Sequence, residues 1–119
     1  MAENKNNPIE NAEIKVELDG FVYFYDYIES VGIGLFKARP DGSELSLIVD
    51  LRKNGWSNFR SLDSKDDWIY FEITKEYSEF NEDQYEYDRY RDEIEYKVDL
   101  NGENLTEICR SHASLGSSN

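Results

Sequence analysis

The sequence predicts an all-β protein of two four-stranded antiparallel sheets, the second of which carries a long acidic hairpin. Three observations support this prediction: an internal repeat, apolar residues that alternate with polar ones, and Asp-Gly or Asn-Gly pairs between apolar runs. Such alternation is typical of half-buried strands, and those pairs favour tight hairpin turns. The 119 residues suit one domain. Its core must be thin and aromatic, since 39% of residues are hydrophobic and 14% are aromatic.

The repeat has two matching parts in each copy. Residues 19–24 resemble residues 66–71 at an offset of 47, and residues 35–45 resemble residues 95–105 at an offset of 60. The offsets differ because the second copy contains an insertion, in which 22 residues (72–93) stand where the first copy has nine.

Each copy is predicted to form four strands. In the first copy they are residues 14–18, 21–27, 34–39 and 44–49, and in the second they are 58–62, 68–74, 94–99 and 104–109. Asp41-Gly42 and Asn101-Gly102 supply matching turns before the last strand of each copy.

The insertion contains the one candidate for a helix, because Phe80, Tyr87 and Tyr90 have near-helical spacing. It lies between two strands that should pair, so we expect a lengthened hairpin with its tip near residues 81–83. The expected organisation is a single two-sheet domain over residues 13–111, with its halves at about 13–50 and 57–110. Flexible tails are expected at residues 1–12 and 112–119.

The repeated residues resemble a known blade motif. An Asp-Gly or Asp-Asp pair, an aromatic-Val/Ile-Tyr-Phe run and a later Asp-Gly or Asn-Gly turn are similar to a blade of the bacterial low-density-lipoprotein-receptor-like β-propellers. These are relatives of the YWTD propellers and include a family of unknown function. Residues 66–71 and 96–102 carry the closest matches, and the resemblance covers about residues 13–110.

The resemblance implies that each sheet is a propeller-like blade. Closed propellers need about 4–8 blades, and this chain holds two. We therefore expect a compact pair, a homo-oligomer that completes a propeller, or a unit that docks on a partner.

Few residues suggest catalysis. His112 is the only histidine, and it follows the last predicted strand, which predicts a solvent-exposed side chain. Cys109 is expected to be a buried structural cysteine, since no activating group is visible beside it. Residues 63–67 offer oxygen ligands for calcium, but a plain turn between strands explains them more simply. The sequence therefore predicts a non-enzymatic protein, with no catalytic, cofactor-binding or metal-binding residues.

The composition limits the partners. A formal net charge of −13 argues against direct nucleic-acid binding through a basic surface. No run of 18 apolar residues predicts a membrane-spanning helix. The polar first residues predict a cytoplasmic protein, or an extracellular one if this chain belongs to a longer exported protein.

The insertion predicts the site. Residues 72–93 hold nine acidic residues against three basic ones, interleaved with five aromatic side chains. Tyrosine offers a large amphipathic contact area at low entropy cost, and spaced acids attract a basic surface. We expect a protein partner with a basic surface to bind here. The candidate residues are Tyr77, Glu79, Phe80, Glu82, Asp83, Tyr85, Glu86, Tyr87, Asp88 and Tyr90.

Three other interpretations remain open. The tyrosines of the hairpin could instead cover their own sheet. A small acidic chain could imitate nucleic acid and inhibit a nuclease, as phage-type anti-CRISPR proteins do. The resemblance also allows a fragment or relative of a bacterial surface propeller that recognises peptide or glycan.

Overall fold

A computed structural model describes residues 7–118, and it confirms an all-β fold of two four-stranded antiparallel sheets. In each sheet the strands follow one another in chain order. The first sheet comprises β1 (Lys15–Leu18), β2 (Phe21–Ile28), β3 (Gly32–Ala38) and β4 (Ser46–Asp50). The second comprises β5 (Asn58–Lys65), β6 (Trp68–Asn81), β7 (Glu86–Asp99) and β8 (Thr106–Ser118).

The turns between the first two strands of each sheet have the same backbone geometry. Asp19 and Gly20 have φ of 55° and 81°, and Asp66 and Asp67 have φ of 53° and 65°. Two successive positive φ angles are typical of the type I′ hairpin turn, whose twist matches that of the strands. Aspartate tolerates this region because its short polar side chain makes local hydrogen bonds.

The turns before the last strands also match. Gly42 and Gly102 have φ of 89° and 84°, and Glu44 and Asn104 have φ of 55° and 60°. In the second sheet this turn also touches the first sheet, because a Cβ on Gly102 would lie 2.5 Å from the carbonyl oxygen of Ile48. Glycine is required there both by φ and by the close approach.

The two sheets pack through faces that are not equivalent in the repeat. The first sheet contributes Tyr23 and Leu35, whereas the second contributes Ile69, Phe71 and Ile73. In the repeat, Tyr23 corresponds to Tyr70, which does not belong to this core cluster. The face that packs inward in the first sheet therefore corresponds, in the repeat, to the face that points outward in the second.

Tyrosine hydroxyls join the sheets at the edges of this core. Tyr23 donates a hydrogen bond to the carbonyl oxygen of Leu100 at 3.2 Å. Tyr25 donates to the carbonyl oxygen of Ser61, and its ring stacks on Phe59 with the ring centroids 4.2 Å apart. Buried hydroxyls that find carbonyl partners avoid the cost of unpaired polar groups.

The N-terminal segment differs from the flexible tail expected over residues 1–12. Residues 1–6 lie outside the described part, but Pro8–Asn11 forms a 3₁₀ helix. Its Ile9 is 6% exposed and packs on Phe24 and Phe36, on the outer face of the first sheet. Asn7 begins the helix by accepting a hydrogen bond from Ile9 N at 3.1 Å. The apolar outer face explains why this segment is held in place.

The C-terminal segment also differs from the expected tail at residues 112–119. Asn119 lies outside the described part, but β8 continues without a break to Ser118. The expected domain end at residue 111 was wrong because β7 is longer than predicted, starting at Glu86. Its lengthened edge gives His112 a backbone partner at Asp92.

The lengthened hairpin itself is confirmed. β6 ends at Asn81 and β7 begins at Glu86, so the tip lies where the sequence predicted it. The apolar core ends at the Ile73–Ile94 pair. Beyond it, the last eight residues of β6 (74–81) extend over about 26 Å at the rise of a strand, and the molecule measures 61 Å along its longest axis.

Candidate interaction surface

The tip of the hairpin is held by the side chain of Asn81. Its Oδ1 accepts hydrogen bonds from Asp83 N at 3.0 Å and Gln84 N at 3.3 Å, and its Nδ2 donates to Asp88 at 3.2 Å. Asn81 O also accepts from Tyr85 N at 2.8 Å. An Asn side chain that replaces backbone partners in this way is typical of ordered turns.

The strand register divides the ten predicted residues among three places. The inner face, which continues the face that packs on the first sheet, carries Tyr77, Glu79, Glu86, Asp88 and Tyr90. The opposite, outer face carries Phe80 and Tyr87, which pair directly. The turn carries Glu82, Asp83 and Tyr85. The prediction therefore named one surface where the structure has two, because residues alternate between the faces of a strand.

Aromatic side chains meet at the tip. The ring centroids of Phe80 lie 5.6 Å from Tyr85 and 5.2 Å from Tyr87, both with edge-to-face geometry. The exposed fractions are 47% for Phe80, 84% for Tyr85 and 53% for Tyr87. We call Phe80, Tyr85 and Tyr87 the tip cluster. Contiguous exposed aromatics of this kind are typical of binding surfaces.

The inner face carries a second aromatic group. Tyr90 stacks on His112 with ring centroids 5.1 Å apart, and Tyr77 lies 5.4 Å from Tyr90. Glu79 pairs with Asp88 on the same face, next towards the tip. This inner face is therefore both acidic and aromatic.

A buried carboxylate anchors that aromatic group. Asp92 is 4% exposed, and it contacts His112 Nδ1 at 2.6 Å and accepts from Arg110 Nη1 at 3.2 Å. The Tyr77 hydroxyl donates to it at 3.5 Å, at the limit of a hydrogen bond. Desolvation raises the pKa of Tyr77, and the charge of Asp92 adds to the effect, so the hydroxyl stays protonated. A buried charge requires such partners.

The sequence interpretation missed this cluster. It expected a solvent-exposed His112 in a flexible tail. The side chain is indeed 53% exposed, but it lies in β8 and is bound to Asp92 across the strand pair. The i, i+2 spacing of Arg110 and His112 was the available signal, since both point to one face of a strand.

Cys109 also differs from expectation, because it is exposed rather than buried. Its sulfur lies 3.7 Å from Glu95 Oε1. Desolvation and the nearby carboxylate raise the pKa of the thiol, and this disfavours the reactive thiolate.

The remaining sequence candidates have plain structural positions. In the acidic run 63–67, Asp63 and Lys65 lie in β5, and Asp66 and Asp67 form the turn. Across residues 7–118, no group of three His, Cys, Asp or Glu side chains is arranged to hold a metal ion. The same part of the chain has no helix long and apolar enough to cross a membrane.

No protein-family model, curated protein or solved structure matches this chain.

Proposed function

We propose that the chain is a non-enzymatic interaction module that binds a protein partner through the distal half of the β6–β7 hairpin. The observation that carries this proposal is the tip cluster, where three aromatic side chains lie exposed at the end of an ordered hairpin. Exposure of aromatic side chains to water is unfavourable. Such residues are enriched among those that dominate binding energy.

The hairpin supports this role by its rigidity. β6 and β7 stay in register from Trp68–Asp99 to Asn81–Glu86, and β8 pairs along β7 on the other side. On the outer face, Arg91 binds Glu76 through Nε at 3.0 Å and Nη2 at 2.9 Å. A surface ordered in advance loses less entropy when it binds.

The charges favour a basic partner. Glu82 and Asp83 lie in the turn and Glu79 and Glu86 on the inner face, whereas Arg89 and Arg91 share the outer face with Phe80 and Tyr87. The acidic turn and inner face accelerate the approach of a basic surface from those sides and set its orientation.

A triple variant tests the proposal. Phe80→Ala/Tyr85→Ala/Tyr87→Ala removes the tip cluster, and Tyr27→Ala/Val31→Ala removes exposed apolar side chains elsewhere as a matched control. We expect proteins captured from the cells that express the chain to be lost with the triple variant and kept with the control. With a purified partner, affinity should fall about 30-fold or more. Equal capture by all three proteins contradicts the proposal.

We propose as a second candidate that the chain inhibits a nucleic-acid-binding protein by occupying its basic channel. Glu79, Glu86 and Asp88 share the inner face, and this one-sided charge supports the idea. Competition against DNA for a nuclease should weaken steeply between 50 and 200 mM salt, as expected from screening of about 10 Å near 0.1 M. Competition that does not respond to salt rejects electrostatic mimicry.

We further propose that the two sheets act as a propeller-like pair without closing a larger ring. Packing of non-equivalent faces supports the resemblance to propeller blades. However, Ile9 covers the free face of the first sheet. The free face of the second sheet carries the Arg60–Glu93 ion pair at 2.9 Å and Lys97 over Trp68 at 4.4 Å. A further blade would have to desolvate these charges. Light scattering should give the 14.0 kDa monomer, and a trimer or tetramer would contradict this.

A further inference from the structure

The segment before β1 and the start of β5 border a cavity that does not include the hairpin. It has a volume of about 470 Å³ and lies between residues 12–14, the β2–β3 pair and residues 57–59. Cavities of this size hold small organic ligands.

Its walls are mostly apolar. Ile14, Ile33, Leu51 and Phe59 line it together with the ring of Tyr25. Ile14 is a large hydrophobic side chain that stays exposed here. The walls therefore suit an apolar body of about the size of one aromatic ring with a short chain.

The same walls are ordered by contacts behind them. Tyr25 is held by its stack on Phe59 and by its hydrogen bond to Ser61 O. Leu51 N donates to Ile33 O at 3.0 Å. The cavity is thus formed before any ligand enters, and little ordering entropy is lost on binding.

Two acidic residues are among those that border the cavity. Glu13 and Asp26 line it, and no lysine or arginine is among the described residues that do so. Asp26 Oδ1 accepts from Tyr27 N at 2.7 Å, which fixes the orientation of this carboxylate. A cation beside these carboxylates gains charge-assisted hydrogen bonds, and an anion would be repelled.

We propose that this cavity binds a small organic cation, an apolar body that ends in an ammonium group. The apolar walls bind the body, and Glu13 and Asp26 bind the charged end. This site is independent of the hairpin and of the partner proposed for it.

Three probes of one size and different charge test the proposal. The ammonium probe is 2-phenylethylammonium, the neutral one is 2-phenylethanol and the anionic one is 3-phenylpropionate. In titrations followed by amide NMR, we expect saturable shifts at Ile33, Gly34 and Asn58 with the cation. The neutral probe should bind about tenfold more weakly, because it loses hydrogen bonds between charged groups. Equal affinities for all three probes, or no saturable shift at these amides, overturn the proposal.

Variants separate the site from the general negative charge of the protein. Glu13→Gln/Asp26→Asn should reduce the affinity for the cation to that for the neutral probe. Glu29→Gln/Asp67→Asn removes the same number of negative charges at exposed turn positions, and it should leave the affinity for the cation unchanged. Equal losses in both variants would show that only net charge matters, which overturns the site. Ile14→Trp, at the exposed mouth, should abolish binding while the rest of the amide spectrum stays in place.

Discussion

The two halves of the molecule use the same turns and the same strand order, yet only the second extends beyond the core. β2 and β3 span 8 and 7 residues, whereas β6 and β7 span 14 each. The first sheet shows that a complete four-stranded unit forms without the extra length. The extension in the second sheet therefore adds a surface, and it also recruits the C-terminal residues into β8.

The halves also differ in what covers their outer faces. The first sheet has an apolar outer face that the N-terminal helix covers. The second has a charged outer face. Two similar sheets can thus form a finite unit when one outer face is covered by another segment and the other outer face is charged.

The largest expected losses of stability come from the two apolar clusters, one between the sheets and one on the outer face of the first sheet. Phe71 and Phe24 are equivalent in the repeat and both are fully buried. Phe71 meets Trp56, Phe59 and Tyr96 between the sheets, whereas Phe24 stacks on Phe36 on the outer side. Replacement by alanine should cost about 3–5 kcal/mol of unfolding free energy in each case, and Phe71→Ala should cost more. Urea denaturation measures both, and a larger loss for Phe24→Ala would contradict the assignment of the main core.

The next largest losses of stability are expected at Gly42 and Gly102, which occupy equivalent positions in the turns of the two sheets. Gly42→Ala should cost about 1–2 kcal/mol, the usual penalty for a side chain in the left-handed region. Gly102→Ala should cost more, because its Cβ would meet the Ile48 carbonyl, whereas the Cβ at Gly42 meets only the side chain of Asn7. Equal free energies of unfolding for the two variants would show that the close approach between the sheets is relieved without cost.

A smaller effect is expected from the buried carboxylate that has no counterpart in the first sheet. Asp92→Asn weakens the contacts to His112 and Arg110 and should cost about 1.5–3 kcal/mol. The exposed Glu76–Arg91 pair supplies the control, since Glu76→Gln should cost under about 1 kcal/mol.

Hydrogen exchange locates the loss. The amides of residues 112–118 should exchange faster in Asp92→Asn than in Glu76→Gln. Unchanged exchange there would mean that β8 does not depend on this cluster.

Alkaline pH should destabilise the first sheet through Tyr23. This residue is fully buried, whereas its equivalent in the second sheet, Tyr70, is half-buried. Desolvation, with help from Asp19 and Asp99, raises the pKa of Tyr23 from 10.0 to about 12. A raised folded-state pKa contributes stability that is complete below pH 10 and is lost as the pH rises towards 12, because the unfolded chain releases its proton first. Burial raises the pKa of Tyr25 in the same direction.

We therefore expect unfolding to become easier above pH 10, followed by circular dichroism and by tyrosinate absorbance. Tyr23→Phe should lose about 1 kcal/mol at pH 7 with its hydrogen bond to Leu100. It should also show a shallower loss of stability above pH 10. An identical alkaline profile for the wild type and Tyr23→Phe would contradict this assignment.

Local signals in the sequence predicted much of the architecture. Asp-Gly and Asn-Gly pairs determine hairpin turns within a few residues, and alternation determines which strands are half-buried, so strand order and the hairpin tip near Asn81 followed directly. The candidate residues of the hairpin were predicted as a set, but their division between two faces needed the register of β6 and β7.

Tertiary structure alone decided the contacts between distant segments. Asn7 meets Pro40 across 33 residues, and no local pattern marks that pair. His112 meets Asp92 across 20 residues, and this pair needed the register of β7 and β8. Which face of each sheet turns inward was also open, because both faces of β2 and β6 are apolar enough to be buried. The sequence by itself determined two hairpin-rich sheets. Packing then decided which faces meet, which ends are covered and where the exposed aromatic surface lies, since those choices depend on total burial over the whole chain.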